Sequence, residues 1–143
     1  MSFANVNYLS ILIAAVAAWI FGGVYYTALS GPWLAAQGKT LEQCKAEQAG
    51  KVGLAKAAPF ILAFVGELIM AWVLYGILVH LNMFTLRAGI ISAVFCWFGF
   101  VLTTITINNA FGGKKPMLTV IDSGHWLGAL VIIGAIVGGF GPR

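Results

Sequence analysis

Residues 103–126 read TTITINNAFGGKKPMLTVIDSGHW, and the reading of this stretch decides the layout of the chain. Thr103, Thr104, Thr106, Asn108 and Asn109 close one strongly apolar run. Gly112, Gly113, Lys114, Lys115 and Pro116 then turn the backbone. A second apolar run opens immediately and carries Asp122 and His125. Polar side chains this dense at the ends of two hydrophobic runs are costly against lipid unless they face protein or water. The pattern is that of a hairpin of two membrane helices whose polar ends meet.

Composition agrees with that reading. Hydrophobic residues make up 61% of the 143, charged residues only 8%, and the mean hydropathy is +0.96. Eight Lys/Arg and four Asp/Glu cannot clothe a soluble domain of this size. No basic stripe with interleaved aromatics is present, so nucleic acid is not an expected partner. The bilayer is.

A hydrocarbon core of about 30 Å takes roughly 20 apolar residues per helix. Working outward from the hairpin, the windows are about 87–109 and 117–140, preceded by about 8–29 and 57–81. The expected fold class is an all-α integral membrane protein. It is a single domain, residues 1–143, built as a bundle of four transmembrane helices. Between the first and second helices, Thr40 and Gln43 have capping-box spacing ahead of helix formers that run to Ala49. A short helix is expected there, ended by Gly50 and Gly53, with Pro59 in the first turn of the next span. The first span has no preceding Lys or Arg and is longer than a signal-peptide core, so it is read as a retained helix.

Six of the eight basic residues, Lys39, Lys45, Lys51, Lys56, Lys114 and Lys115, fall in the two loops at one end; Arg87 and Arg143 fall at the other. The positive-inside rule then predicts both lysine-bearing loops, with the short helix, in the cytoplasm and both termini outside. A bacterial inner membrane is the expected location. Cys44 in the loop and Cys96 in a span differ in depth and redox setting, so no disulfide is predicted.

Helices pack in lipid through small residues. On the third span, Ser92, Cys96, Gly99, Thr103, Thr106 and Ala110 recur at steps of four and three and predict a protein-facing stripe. Gly22 with Ala14 and Ala18 on the first span, and Gly124, Gly128, Gly134 and Gly138 on the fourth, predict further contacts. These faces serve contacts within the bundle or a homo-oligomer interface. Tyr25, Tyr26 and Trp33 read as an interfacial aromatic belt. Trp19, Trp72 and Trp97 sit deeper, where an indole N–H wants an acceptor.

Glu67 stands near mid-membrane, where an acid costs roughly 2.5–3.5 kcal/mol on insertion scales. It must carry a proton or find a partner. Asp122 and His125 are spaced i, i+3 and share a helix face. With about 1.5 Å of rise per residue, Asp122, His125 and Glu67 form a ladder inward from the loop side, Glu67 about one turn below His125. Thr104 and Asn108 reach similar depths from the third span. The functional reading is a proton or cation relay, or a polar pocket for a small solute, using Glu67, Asp122, His125, Thr104 and Asn108. The structural reading is a hydrogen-bonded cluster fixing helix register, with Asp122 capping its helix or pairing with Lys114 or Lys115. No nucleophile–base pair, metal cage or phosphate loop is visible, so no catalytic site, metal or cofactor is expected. The alternative function is a non-catalytic accessory or assembly subunit of a larger membrane complex.

Two stretches also resemble a known family. AAVAAWIFGGVYYTALSGPW (14–33) is similar to its pattern of a helix with Gly, a Tyr pair and a following Trp. The segment 99–127 is similar in its Asn-x-x-Phe turn, here Asn108 and Phe111, and its Ile-Asp-x-Gly opening, here Ile121, Asp122 and Gly124. His125 stands where that pattern leads one to expect an aromatic residue. The family is DUF1761, bacterial and fungal membrane proteins of unknown function. The resemblance implies a small multi-helix membrane protein and implies no activity.

Overall fold

The computed structural model describes residues 5–142; Arg143, counted above among the basic residues of the terminal side, lies outside them. The described chain is all helical. Four helices are long and apolar enough to cross a membrane: α1 (Tyr8–Ala28), α4 (Leu54–Leu81), α5 (Leu86–Phe111) and α6 (Pro116–Phe140). Two short helices, α2 (Ser30–Gln37) and α3 (Leu41–Ala49), join α1 to α4. Successive spans run antiparallel, and α6 is the hub, packed against α1, α4 and α5.

Each boundary has a local cause. Asn7 caps α1 by accepting from the Ser10 amide. Pro32 has no N–H to give the Ala28 carbonyl and its ring would strike it, so α1 stops at Ala28 and the chain restarts as α2. Gly38, in the left-handed region at φ 72°, closes α2. The capping box of α3 forms in both directions, Gln43 N–H to Thr40 Oγ1 at 3.2 Å and Thr40 N–H to Gln43 Oε1 at 2.9 Å. α2 is absent from the sequence reading, which treated residues 30–56 as a connector with one helix. α4 begins at Leu54 rather than near 57, so Pro59 lies inside the helix and not in its first turn. The helix tolerates it because the ring removes one bond near a solvated end.

The core lies along α6. Ala14, Ala18, Ala71, Ala129, Ile133 and Val137 are fully buried there, with Leu74, Tyr75 and Leu78 of α4 closing over them. α5 joins by close backbone approach. A Cβ on Gly89 would strike the Gly134 carbonyl, and one on Gly138 would meet the Thr85 carbonyl.

This corrects the expected stripe on the third span. Ser92 and Cys96 are half-buried, but Gly99, Thr103, Thr106 and Ala110 are exposed. The packing face is Gly89, Ala93 and, further on, Trp97. Ala93 and Trp97 each follow a stripe residue by one position, about 100° round the helix, so the stripe is already off the packing face where the π-helical segment Trp97–Leu102 interrupts the α-helical ladder that the 3.6 period assumes. Beyond it the old stripe points away from the bundle. The exposed Thr103 and Thr106 hydroxyls donate to the Gly99 and Leu102 carbonyls of their own helix, at 2.8 and 2.6 Å.

Candidate functional site

Pro32 is what makes the site. By ending α1 and starting α2 it folds residues 30–37 back over the start of α6, where Ala36 buries with Leu118 and Ile121 and Trp33 packs against them. Trp33 is thereby carried to Asp122. The Asp122 Oδ1 accepts the Tyr26 hydroxyl at 2.9 Å and the Trp33 indole N–H at 3.1 Å. The Tyr25 hydroxyl donates to the Ile121 carbonyl at 2.9 Å. Lys115 does not pair with Asp122; its ammonium donates to the Ala35 carbonyl at 2.9 Å. Among the described residues the one ion pair joins Lys39 to Glu47, so Asp122 is a half-buried carboxyl held by two neutral donors. It does not cap its helix, which starts at Pro116.

One turn on, the His125 ring is 5% exposed and enclosed by aromatics. Phe21 stacks on it at 6.0 Å and 8°, with Tyr25, Tyr26 and Trp126 at 5.7, 4.9 and 4.7 Å. Gly22 lets α1 come this close, since a Cβ there would sit 2.8 Å from His125 Nε2. Gly124 and Gly128 likewise seat the rings of Tyr25 and Phe21. Among the described residues no hydrogen bond satisfies the buried His125 Nδ1.

Glu67 is 1% exposed at the head of the buried face of α4, and its Oε2 likewise has no partner among the described residues. It is not in the aromatic cluster. The contacts Asn7–Tyr75 and Trp19–Phe60 set the α1–α4 register, and Gly22 marks the level of His125. Interpolating between them puts Glu67 about two helical turns beyond His125, twice the expected gap, because α4 is offset along α1. The order Asp122, His125, Glu67 is kept, while the three do not touch. Thr104 and Asn108 are exposed on the outer side of α5 and are not brought to Asp122. The neighbouring Asn109 turns inward instead and donates to Thr119 Oγ1 at 3.0 Å.

The deep tryptophans resolve separately. Trp97 donates to the Ser123 carbonyl at 2.8 Å, beside Asp122. Trp19 and Trp72 face outward, and Trp19 donates to the Phe60 carbonyl at 3.0 Å. Sequence reasoning placed Tyr25, Tyr26 and Trp33 in a belt and missed Tyr26 and Trp33 as Asp122 partners; the signal was Pro32, four residues after the end of α1. It also missed a second buried polar knot at the opposite end. There Asn7 N–H donates to Tyr75 Oη at 3.1 Å, Asn7 Nδ2 to the Gly141 carbonyl at 3.0 Å, and Ser10 Oγ to the Asn7 carbonyl at 2.8 Å. The bundle is therefore laced shut at the end of its termini and carries its carboxyl and imidazole at the other.

Among the described residues no group of three or more His, Cys, Asp or Glu could hold a metal ion. Comparison with known proteins finds no match among curated proteins and none among solved structures. The family described as "Protein of unknown function (DUF1761)" matches residues 9–138, nearly the whole chain, including Tyr26, Trp33, Asp122 and His125. This chain belongs to the DUF1761 family.

Proposed function

We propose that this is a multi-pass membrane protein that handles protons or another small cation through an intramembrane polar path. Asp122 is its entry, His125 the next station and Glu67 the deep one. The observation that carries the reading is the pair of orphaned polar atoms, Glu67 Oε2 and His125 Nδ1, buried in an otherwise close-packed bundle. An unsatisfied buried polar atom costs about 1–3 kcal/mol, and a fold that needed only register would not keep two. Intramembrane ionisable groups mark ion or proton paths by default. Asp122 adds a carboxyl with no cationic partner among the described residues. Thr104 and Asn108 drop out of the path.

The test is flux in proteoliposomes loaded with a pH-sensitive dye, with sodium, potassium and ammonium gradients in parallel. Glu67→Gln and Asp122→Asn are expected to leave the fold intact and abolish flux of the handled ion. Wild-type flux in both variants would end the proposal.

The topology proposed is both termini outside, with the lysine-bearing loops in the cytoplasm of a bacterial inner membrane. It is supported by the Lys115–Ala35 contact, which joins those loops at one end, and by the Asn7–Gly141 contact, which joins the chain ends at the other. Reporter fusions at Gln48 and at the C-terminus test it; an external signal at Gln48 with a cytoplasmic one at the C-terminus would overturn it.

One observation favours a second reading, an accessory or assembly subunit. Only 6% of the apolar window of α5 is buried, against 44% for α6, and its outer face presents Gly99, Thr103 and Thr106. A second copy or a partner membrane helix would cover such a face. Native mass spectrometry of gently extracted protein distinguishes a homo-oligomer from a stoichiometric foreign subunit.

A further inference from the structure

The outer seam between α1 and α4 carries two grooves. One, of about 490 Å³, is lined by Val16, Trp19, Ala57, Phe60, Ile61 and Phe64. The other, of about 260 Å³, is lined by Tyr8, Ile11, Leu68, Ile69 and Trp72. The walls of the larger groove offer no polar atom, because the Trp19 indole N–H is already bonded to the Phe60 carbonyl. Its occupant is therefore a hydrocarbon. It extends from Ala57 to Phe64, about 10 Å along the helix, too short to seat a helix crossing a core of about 30 Å.

What distinguishes the two grooves is charge. Lys56 lies in the first turn of α4, one residue before the groove-lining Ala57, and Lys51 lies in the linker just ahead. The connector that holds them carries four lysines against two glutamates. Lys39 is engaged with Glu47, whereas Lys45, Lys51 and Lys56 form no ion pair among the described residues. At the smaller groove, at the far end of the seam, neither helix carries a lysine or arginine. An apolar slot that begins one residue after the exposed Lys56 and shortly after the exposed Lys51 matches a molecule with a long hydrocarbon chain and an anionic head.

We propose that the α1–α4 groove binds one acyl chain of an anionic phospholipid, with the phosphate held at Lys56 and Lys51. The site is separate from Asp122 and His125 and does not depend on ion handling. It makes the protein selective for anionic lipid on the membrane face of its lysine-bearing loops, where basic residues near a surface each favour anionic lipid about fivefold.

The test is native mass spectrometry of delipidated protein offered equal amounts of dioleoyl phosphatidylglycerol and dioleoyl phosphatidylcholine. The wild-type protein is expected to retain a single phosphatidylglycerol at least tenfold over phosphatidylcholine. Lys51→Gln with Lys56→Gln should bring the ratio near parity, and Lys45→Gln should leave it within twofold. Ala57→Phe, which fills the slot, should cut retention of both lipids while keeping their ratio. Equal retention of the two lipids by the wild type would overturn the proposal, as would undiminished preference in the double lysine variant. Unchanged retention in Ala57→Phe would also overturn it. A dimer that Ala57→Phe dissolves would assign the groove to a second copy and overturn it as well.

Discussion

Glu67 is the residue whose chemistry departs furthest from what stability alone would select. Its carboxyl is 1% exposed with Oε2 unpartnered, in the row that continues through Ala71, Leu74 and Leu78. Replacing an unsatisfied buried polar group with an apolar one of similar size relieves its desolvation penalty. Glu67→Leu is therefore expected to raise stability by about 1–3 kcal/mol, read as a higher thermal midpoint in detergent, while flux is lost. A lowered midpoint would mean that the carboxyl has a structural partner. Gly22 and His125 make the complementary case. The imidazole is walled by Phe21, Tyr25, Tyr26 and Trp126, so it cannot retreat from a Cβ placed 2.8 Å from its Nε2. Gly22→Ala should cost about 1–3 kcal/mol and shift the His125 ring resonances in NMR. Gly23→Ala, where a Cβ meets nothing within 4 Å, is its control.

At the scale of elements, α5 packs through Gly89 and Ala93, ahead of its π segment. Gly89 and Gly134 meet backbone to backbone, so Ala at either position must push two helices apart. Each is expected to lose about 1–3 kcal/mol in unfolding titrations of the detergent-solubilised monomer. Gly99→Ala meets open space and should change stability by no more than about 0.5 kcal/mol. A reversed ranking would restore the stripe that a regular 3.6 period predicts. The Gly89-x-x-x-Ala93 pair was in the sequence all along. Six regularly spaced small residues made the longer pattern, and period counting does not tell which of two adjacent faces meets a neighbour.

For the whole molecule, the two ends of the bundle differ in kind. The terminal end is closed by Asn7, Ser10, Tyr75 and Gly141, whereas the loop end holds Asp122 half-buried beneath α2. On the proposed reading the path starts at the Asp122 end, and the polar contacts of Asn7 close the other. Asn7→Ala removes the α1 cap and the tie to the Gly141 carbonyl, and is expected to cost about 1–2 kcal/mol. Faster amide exchange at Ser10 and Gly141 should accompany it. If exchange there is unchanged, the knot does not hold that end closed.

From the sequence alone came the all-helical class, the four helices long and apolar enough to cross a membrane and their order, the capping box of α3, and the placing of Asp122 with His125 on one helix face. All of these follow from residue type and short-range spacing, which lipid enforces through the length of a span and the satisfaction of its backbone. Tertiary structure alone decided which side chains meet across helices. Tyr26 and Trp33 reach Asp122 across 96 and 89 residues of chain, and that meeting depends on the angle at which Pro32 turns α2. The separation of Glu67 from His125 depends on the offset of α4 against α1, and the outward turn of Thr103 and Thr106 on the rotation of α5 against α6. Offsets and rotations of whole helices are set by packing summed over many contacts, and no local pattern encodes them.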